Sequence, residues 1–491
     1  MDVFFMKIKT FLTLLFLVTL ALPVTGCSTN PATGRTQFAA LMSPQQEQQV
    51  GAQEHPNIIA EFGEYNHAAV QSYVRQVGAR VTQNTERPDV DYKFYVLDSP
   101  IVNAFALPGG YIYISRGLLS IAGSEAELAA VLGHEAGHIT GRHSAERYSR
   151  GVVTQLGAGL LAAAVDKSGV SQALGIGSEL YLKSYSRAQE NEADTLGIRY
   201  LTQSGYDPSA MTSFLENLQN ASAFEALENG QKGSGAGMSY FSTHPATSDR
   251  VTKTAAEVAA GPGSGDIKRD AYLNAIDGIT YGDSAKHGMV RGNRFIHPAI
   301  GFKFDVPQDF KIINQPTQVI ATSETGAVMV FDFAANKGGQ DVMSYLRAGW
   351  LKNEVVNDAE TLTINGMNAA TASFQGAINN TPMVIRLIAI EFAPKSFARF
   401  QIGIPLNAPG TLVEALKTSS YSFSKLGAAE KNKYKPYVLN VITAGSGDTV
   451  STLAARFPYD SLNEERFRML NGMGMRDELV DGNRYKIIKA Q

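Results

Sequence analysis

The chain has 491 residues, 44% of them hydrophobic and 18% charged, with a net charge of −3. That composition excludes a disordered or fibrous chain, and the length implies roughly two to four domains rather than one core. The balanced charge and the lack of lysine or arginine runs give no reason to expect a nucleic-acid partner. A single cysteine, Cys27, excludes an intrachain disulfide framework and a thiolate zinc cluster.

Lys7 and Lys9 precede an apolar run at residues 11–22, and Val24-Thr25-Gly26-Cys27 follows. Basic start, apolar core and small residues at the cut read as a secretory signal over residues 1–27. Cysteine at the cut resembles a bacterial lipobox, which implies lipidation of Cys27 and an anchored rather than a spanning protein. Ser28 after it resembles an outer-membrane address, so the expected location is the periplasm, lipid-anchored to that membrane. Residues 28–45, rich in Ser, Thr, Asn, Pro and Gly, have the composition of a tether.

A helical stretch is predicted from Pro44, then another over 68–85, where Val70, Tyr73, Val74, Val77 and Val81 keep helical spacing. Residues 91–96 alternate as a strand. The paired Gly109 and Gly110 allow a tight turn into the Tyr/Ile run at 111–115, a good strand. That strand is either a cleft wall, whose free edge an extended peptide could join through backbone hydrogen bonds, or an ordinary hairpin packed on the core.

Residues 124–143, SEAELAAVLGHEAGHITGRH, are where the chemistry concentrates. Ser124 and Glu127 read as a capping box that starts a helix, and Leu128, Val131 and Leu132 supply its buried face. His134 and His138 are four residues apart, so on a helix both imidazoles reach one metal ion, with Glu135 beside them to act on a water. Gly133 and Gly137 weaken the helix, which is easier to understand if something packs close there.

A catalytic zinc site takes a third protein ligand from elsewhere. The metzincin continuation fails on register: Gly141 is in place, but the third histidine position holds Ser144 and His143 comes one residue early. The other candidate is SRAQENEAD, in which Glu190 and Asp194 share a helical face. Glu190 can ligate the metal while Asp194 accepts the outer N–H of a ligand histidine. Glu192 is offset on the wheel and is the weaker ligand.

Residues 151–165 are apolar but shorter than the roughly 20 residues of a membrane span, so they read as a buried or cleft-covering helix, with contact to a membrane surface as the alternative. Residues 184–203 are helical, Gly205 ends that helix, and Asp207-Pro208 opens the next, to about Leu218. Residues 220–238 read as a mobile loop. His244, in THPATSDRV, and Arg250 are expected to face the reacting oxygen and stabilise it as charge develops. His143 is expected to support the site or the fold, and His55 and His67 to lie at the surface.

A linker signal, Gly261-Pro262-Gly263-Ser264-Gly265, precedes an expected domain end near residue 290. Short alternating strands follow at 302–306, 319–322, 327–333, 369–374, 383–392 and 396–403, with helical pieces near 341–350 and 411–420, which together make an α+β domain. Residues 437–488 read strand, helix, helix, strand, a small third unit.

NAFALPGGYIYISRGLL, HEAGH, SRAQENEAD and STHPATSDR together resemble the HtpX/CAAX-protease-type gluzincin peptidases, closest to the periplasmic BepA-type branch, over roughly residues 45–260. The resemblance implies one Zn2+ held by His134, His138 and Glu190, endopeptidase activity, and Glu135 as catalytic acid/base. It departs from that branch in lacking a helical-repeat pattern afterwards. The last unit resembles a LysM-like module through GDTVSTLAARF, the LNG turn and GNRYKI, which implies peptidoglycan contact; residues 295–426 faintly resemble PsbP-like domains.

The expected fold is thus multidomain: signal peptide 1–27, tether 28–45, a mainly α gluzincin metallopeptidase domain with a small β-sheet at 46–290, an α+β domain at 295–426, and a LysM-like domain at 436–491. The expected function is a zinc endopeptidase of the cell envelope that cleaves misfolded or misassembled envelope proteins. Polypeptides are its partners, with peptidoglycan through the last module and the membrane through the lipid anchor. The alternative is an envelope assembly protein, chaperone-like and tethered to peptidoglycan, whose peptidase domain is latent.

Overall fold

The computed structural model describes residues 28–39, 41–165, 184–228, 240–245, 247–261, 263–352, 356, 358–378 and 381–491. The expected signal segment with Cys27 lies outside these residues, as do 229–238 of the expected loop. The chain divides into two units, Met1–Ile279 with Leu439–Lys489, and Thr280–Val438 with Ala490–Gln491. The first holds the helical region and the second a large β-sheet.

The first unit opens with a two-stranded hairpin, β1 (Ser28–Thr29) paired to β2 (Thr36–Gln37). The tether expected at 28–45 is therefore folded at its start. Asn30 is the reason: buried, it accepts from Ala32 N with its side-chain oxygen and donates from Nδ2 to Thr140 O at 2.9 Å. Asn and Gly read as linker residues by composition, yet they also close turns.

Helices α1 (Pro44–Phe62) and α2 (Ala68–Thr82) follow. Strands β3 (Lys93–Leu97), β4 (Ala104–Leu107) and β5 (Tyr111–Ser115) form a sheet in the order β3-β5-β4, with β5 parallel to β3 and antiparallel to β4. The β4–β5 turn has Gly109 at φ 82° and Gly110 at φ 99°, a region L side chains rarely enter. His55 donates to or accepts from Tyr113 OH at 2.8 Å, and His67 Nδ1 caps α2, so both have local structural partners.

After α3 (Arg116–Ile121) comes α4 (Glu125–Thr140), which carries the HEAGH motif and is buried on every side, not one face. Its N-terminus is half of the expected capping box. Ser124 Oγ accepts from Glu127 N, but the Glu127 carboxylate turns to Gly123 N at 2.6 Å and also accepts from Ser213 and Asn217. Next are α5 (His143–Val165), α6 (Arg187–Gln203) and α7 (Ala210–Glu228). The last continues to Glu228, past the expected end near Leu218. The short α8 (Tyr240–Thr243) and then α9 (Ser248–Ala260) complete the site region. Among the described residues no helix is long and apolar enough to cross a membrane.

Residues 439–489 cluster with this first unit, and the division falls at 279/280 instead of near 290. The expected order of strand, two helices and strand is present, at Tyr437–Thr443, Val450–Ala454, Asn463–Leu470 and Arg484–Ala490. Polar contacts explain why it does not stand apart. The buried Lys486 donates from Nζ to Ser120 O and Ala122 O, each at 2.8 Å, closing the C-terminus of α3. Arg466 pairs with Glu228 at 2.7 Å, and Arg484 donates to Asn274 at 2.8 Å. None of these long-range pairings is visible in local sequence pattern.

In the second unit seven antiparallel strands run in the order Phe310–Asn314, Gln318–Ser323, Val328–Ala335, Ser396–Pro405, Thr381–Ala393, Met367–Ile378 and Glu360–Ile364. The first and last of these were not expected, being half-exposed and weakly alternating. Gly410–Tyr421 is the expected helix, whereas the piece near 341–350 is mostly a π-helix, Tyr345–Leu351. Phe302, Phe304, Phe331, Phe400 and Phe423 make the aromatic centre of its core.

What positions the site is the contact of α4 with α6. A Cβ on Gly137 would lie 3.0 Å from Ala193 O, and one on Gly197 would lie 3.1 Å from His134 N. The small residues let two backbones approach, which explains glycines kept where they cost helix propensity. Gly137→Val should lower stability by roughly 1–3 kcal/mol through overpacking, despite removing a glycine from a helix. Thermal unfolding of the full chain measures it; an unchanged or raised Tm contradicts the close-packing account.

Candidate metal centre

His134 and His138 project from one face of α4, Glu190 from the first turn of α6, and His244 from the end of α8. One donor atom from each of these four buried residues lies within 4.8 Å of all the others. His134 Nε2 is 3.1 Å from His138 Nε2 and 3.3 Å from His244 Nδ1. Glu190 oxygens lie 3.5 Å from His134 Nε2, 3.4 Å from His138 Nε2 and 2.9 Å from His244 Nδ1.

These separations identify what the cluster suits. Four ligands at about 2.0–2.1 Å in a tetrahedron stand roughly 3.3–3.4 Å apart. The outer nitrogens assign the protons. His134 Nδ1 is 2.9 Å from the Asp194 carboxylate, an acceptor, so it carries hydrogen and Nε2 is left a lone pair. His138 Nδ1 is 2.8 Å from His143 Nδ1, and His143 Nε2 is 3.0 Å from Glu192. With His143 Nε2–H donating to Glu192, its Nδ1 accepts from His138, and His138 Nε2 too becomes a lone pair. Lone pairs converging on one point fit a cation.

Charge agrees. Burial disfavours a cationic His134, but Asp194 and Glu190 outweigh it and raise its pKa to about 9; the same carboxylates would favour any cation at the centre. Burial opposes an ionised Glu190, yet His244, His134 and His138 hold it well below the usual carboxylate range. Burial, with His134 and His143 adding to it, pushes His138 well below the ordinary imidazole value.

Glu135 stands differently. Its carboxyl is fully buried, neither oxygen has a hydrogen-bond partner, and His244 Nε2 is 3.7 Å from Oε1. Burial pushes its pKa up. A buried carboxyl without a partner costs about 1–3 kcal/mol or more, so a group poised this way beside a metal-type cluster suits proton transfer.

Arg250 departs from the expected arrangement. Its guanidinium grips Asp194 through Nε (2.8 Å) and Nη2 (2.7 Å), while Nη1 reaches Glu190 Oε2 at 2.9 Å and donates to Pro245 O. Its donors are thus turned to the Asp194 and Glu190 carboxylates and to a backbone carbonyl. His244 likewise sits within the donor set rather than outside it. Glu192, the weaker ligand candidate, is not in the set; it binds His143 and Arg35.

Two aromatic residues escaped the sequence reading. Tyr185 stacks on His138 with ring centroids 3.8 Å apart, and Tyr240 on His244 at 4.6 Å. Their signals were slight: Tyr185 immediately precedes the Ser186 cap of α6, and Tyr240 lies four residues before His244, whose N–H donates to Tyr240 O.

Residues 68–258 match the model of peptidase family M48. Mitochondrial metalloendopeptidase OMA1 of Schizosaccharomyces pombe is 30% identical over 210 residues, covering 42% of this chain and 59% of that protein. The beta-barrel assembly-enhancing protease of Escherichia coli is 30% identical over 200 residues, covering 39% of this chain and 41% of that one. The chain thus spans about half the length of these relatives. Among solved structures, cyanobacterial PsbP from Synechocystis matches with a TM-score of 0.22 and 9% identity over 28% of this chain and 95% of that one, a likeness too low to carry the PsbP-like expectation. The family match over 68–258 and the metalloendopeptidase among these relatives support a zinc metalloprotease.

Proposed function

We propose that this chain is a zinc-dependent endopeptidase of the bacterial cell envelope, cleaving misfolded or misassembled envelope proteins. His134, His138 and Glu190 are its metal ligands and Glu135 its acid/base. The observation that carries the reading is the convergence of buried lone pairs at 2.9–3.5 Å beside an unpartnered Glu135. The envelope assignment rests on the lipobox-like Cys27 and on the similarity to a beta-barrel assembly-enhancing protease. Lipid attachment at Cys27 to the outer membrane, and peptidoglycan contact through the LysM-like segment, belong to the same proposal.

When bound, zinc supplies Lewis acidity at the scissile carbonyl and acidifies an attacking water. The chain's own residues do the rest. Glu135 takes the proton from that water on a carboxylate oxygen and returns it to the leaving amine, a task helped by burial, which raises its pKa above the ordinary carboxyl value. Asp194 fixes the His134 tautomer, and Arg250 keeps Asp194 ionised by its two-pronged grip. In a casein or unfolded-porin digestion, chelator should stop cleavage, and Glu135→Gln should lower it by at least about 10²-fold while zinc content is unchanged. Full activity of that variant contradicts the mechanism.

His244 favours a second element of the reading, a latent state. Catalytic zinc sites keep one position open, whereas four protein donors close it. With His244 Nδ1 in the set, substrate must displace that side chain, which sits at the end of the four-residue α8 and is stacked on Tyr240. His244→Ala should then raise peptide cleavage, by about tenfold for each ~1.4 kcal/mol that displacement costs. A fall in rate with zinc retained would instead assign His244 an assisting role.

A further inference from the structure

We propose that the hairpin at residues 28–37 is a positioning element of the metal centre, acting through the chain Arg35–Glu192–His143–His138. The inference rests on the reading that His138 binds a metal. It assigns a role to a segment far from the peptidase motifs in sequence, whose composition reads as linker.

The hairpin spans both ligand-bearing helices. Asn30 donates to Thr140 O in the last turn of α4, and Arg199 of α6 donates from Nη1 to Ala32 O at 2.9 Å. Between these anchors Arg35 enters an acidic site. Its Nε is 3.3 Å from Glu192 Oε1, its Nη2 is 3.2 Å from Glu192 Oε2, and it makes a two-pronged pair with Glu146 at 2.9 and 3.3 Å. Arg35 therefore holds together two carboxylates that would otherwise repel, and it fixes where the Glu192 oxygens point.

Glu192 in turn decides a tautomer. Its Oε2 accepts from His143 Nε2 at 3.0 Å, which leaves His143 Nδ1 free to accept from His138 Nδ1 at 2.8 Å. Without an acceptor at Glu192, His143 gains nothing from keeping its proton on Nε2. A proton on His143 Nδ1 forces His138 to carry its own on Nε2, where it points at His134 Nε2, 3.1 Å away, and blocks the ligand position. The backbone is built around this arrangement. His143 is fully buried, and a Cβ on Gly141 would lie 2.4 Å from His143 Nε2, so the glycine of the HEAGHITG run makes room for that ring.

The test uses the full chain and reads zinc affinity by competition with a chelator, together with the visible spectrum of the cobalt-loaded protein. Arg35→Ala should weaken zinc binding by about tenfold, the lower end of the ~10–100-fold range for residues that support ligands, and shift the cobalt bands at saturating metal. Arg35→Lys should recover most of both. Arg199→Ala, which removes one anchor of the hairpin but no link in the chain of contacts, should weaken zinc binding less than Arg35→Ala does. Unchanged affinity and spectrum in Arg35→Ala overturn the proposal, as does an equal loss in Arg199→Ala with unshifted bands, which would mark hairpin docking alone. Should Arg35→Ala not fold, Glu192→Gln reads the same chain from its other side: weakened zinc supports it, wild-type affinity overturns it. A wild-type chain that binds no zinc removes the metal reading itself, and this inference with it.

Discussion

The contact between α4 and α6 is the constraint on which the rest depends. Ligands carried on different helices make one site only if the helices hold a fixed distance, and here that distance is set by backbone meeting backbone at Gly133, Gly137, Ala193 and Gly197. Side chains of ordinary size would push Glu190 away from His134 and His138 by more than the few tenths of an ångström a metal site tolerates. The helix interior is therefore weakened by glycine to obtain closeness, and α4 compensates by being buried along its whole length.

Around that contact lies an ordered sequence of proton assignments. Arg250 fixes Asp194, Asp194 fixes His134, and Glu192 fixes His143, which fixes His138. Each link places a hydrogen on the outer nitrogen and so leaves the inner one to the metal. The site is anionic in its surroundings, and a bound metal would take the place of the inner proton on His134, the combination that favours a divalent cation. Glu135 stands apart, the residue of this cluster with neither carboxyl oxygen hydrogen-bonded, and the proposed proton transfer rests on that isolation.

Much of this was legible in the chain. HEAGH pointed to two members of the donor cluster through the helical repeat, and the Glu190–Asp194 spacing pointed to a third and its neighbour through the same geometry. The unexplained glycines at 133 and 137 pointed to a close neighbour. What was not legible depends on distance in sequence. Arg35 meets Glu192 across 157 positions and Lys486 meets Ser120 across 366, and no local pattern announces either. Arg250 was singled out by its motif, but the direction of its guanidinium follows from where Asp194 lies. Composition misread 28–37, since turn-forming residues and linker residues are the same residues.

The central claim is that His134, His138, Glu190 and His244 gather round one metal ion. X-ray absorption at the zinc edge on the purified full chain tests it most directly. The account predicts one zinc per chain in a four-coordinate shell of three imidazole nitrogens and one carboxylate oxygen, at about 2.0–2.1 Å. An all-oxygen shell, or a chain that retains no zinc after dialysis, would contradict it.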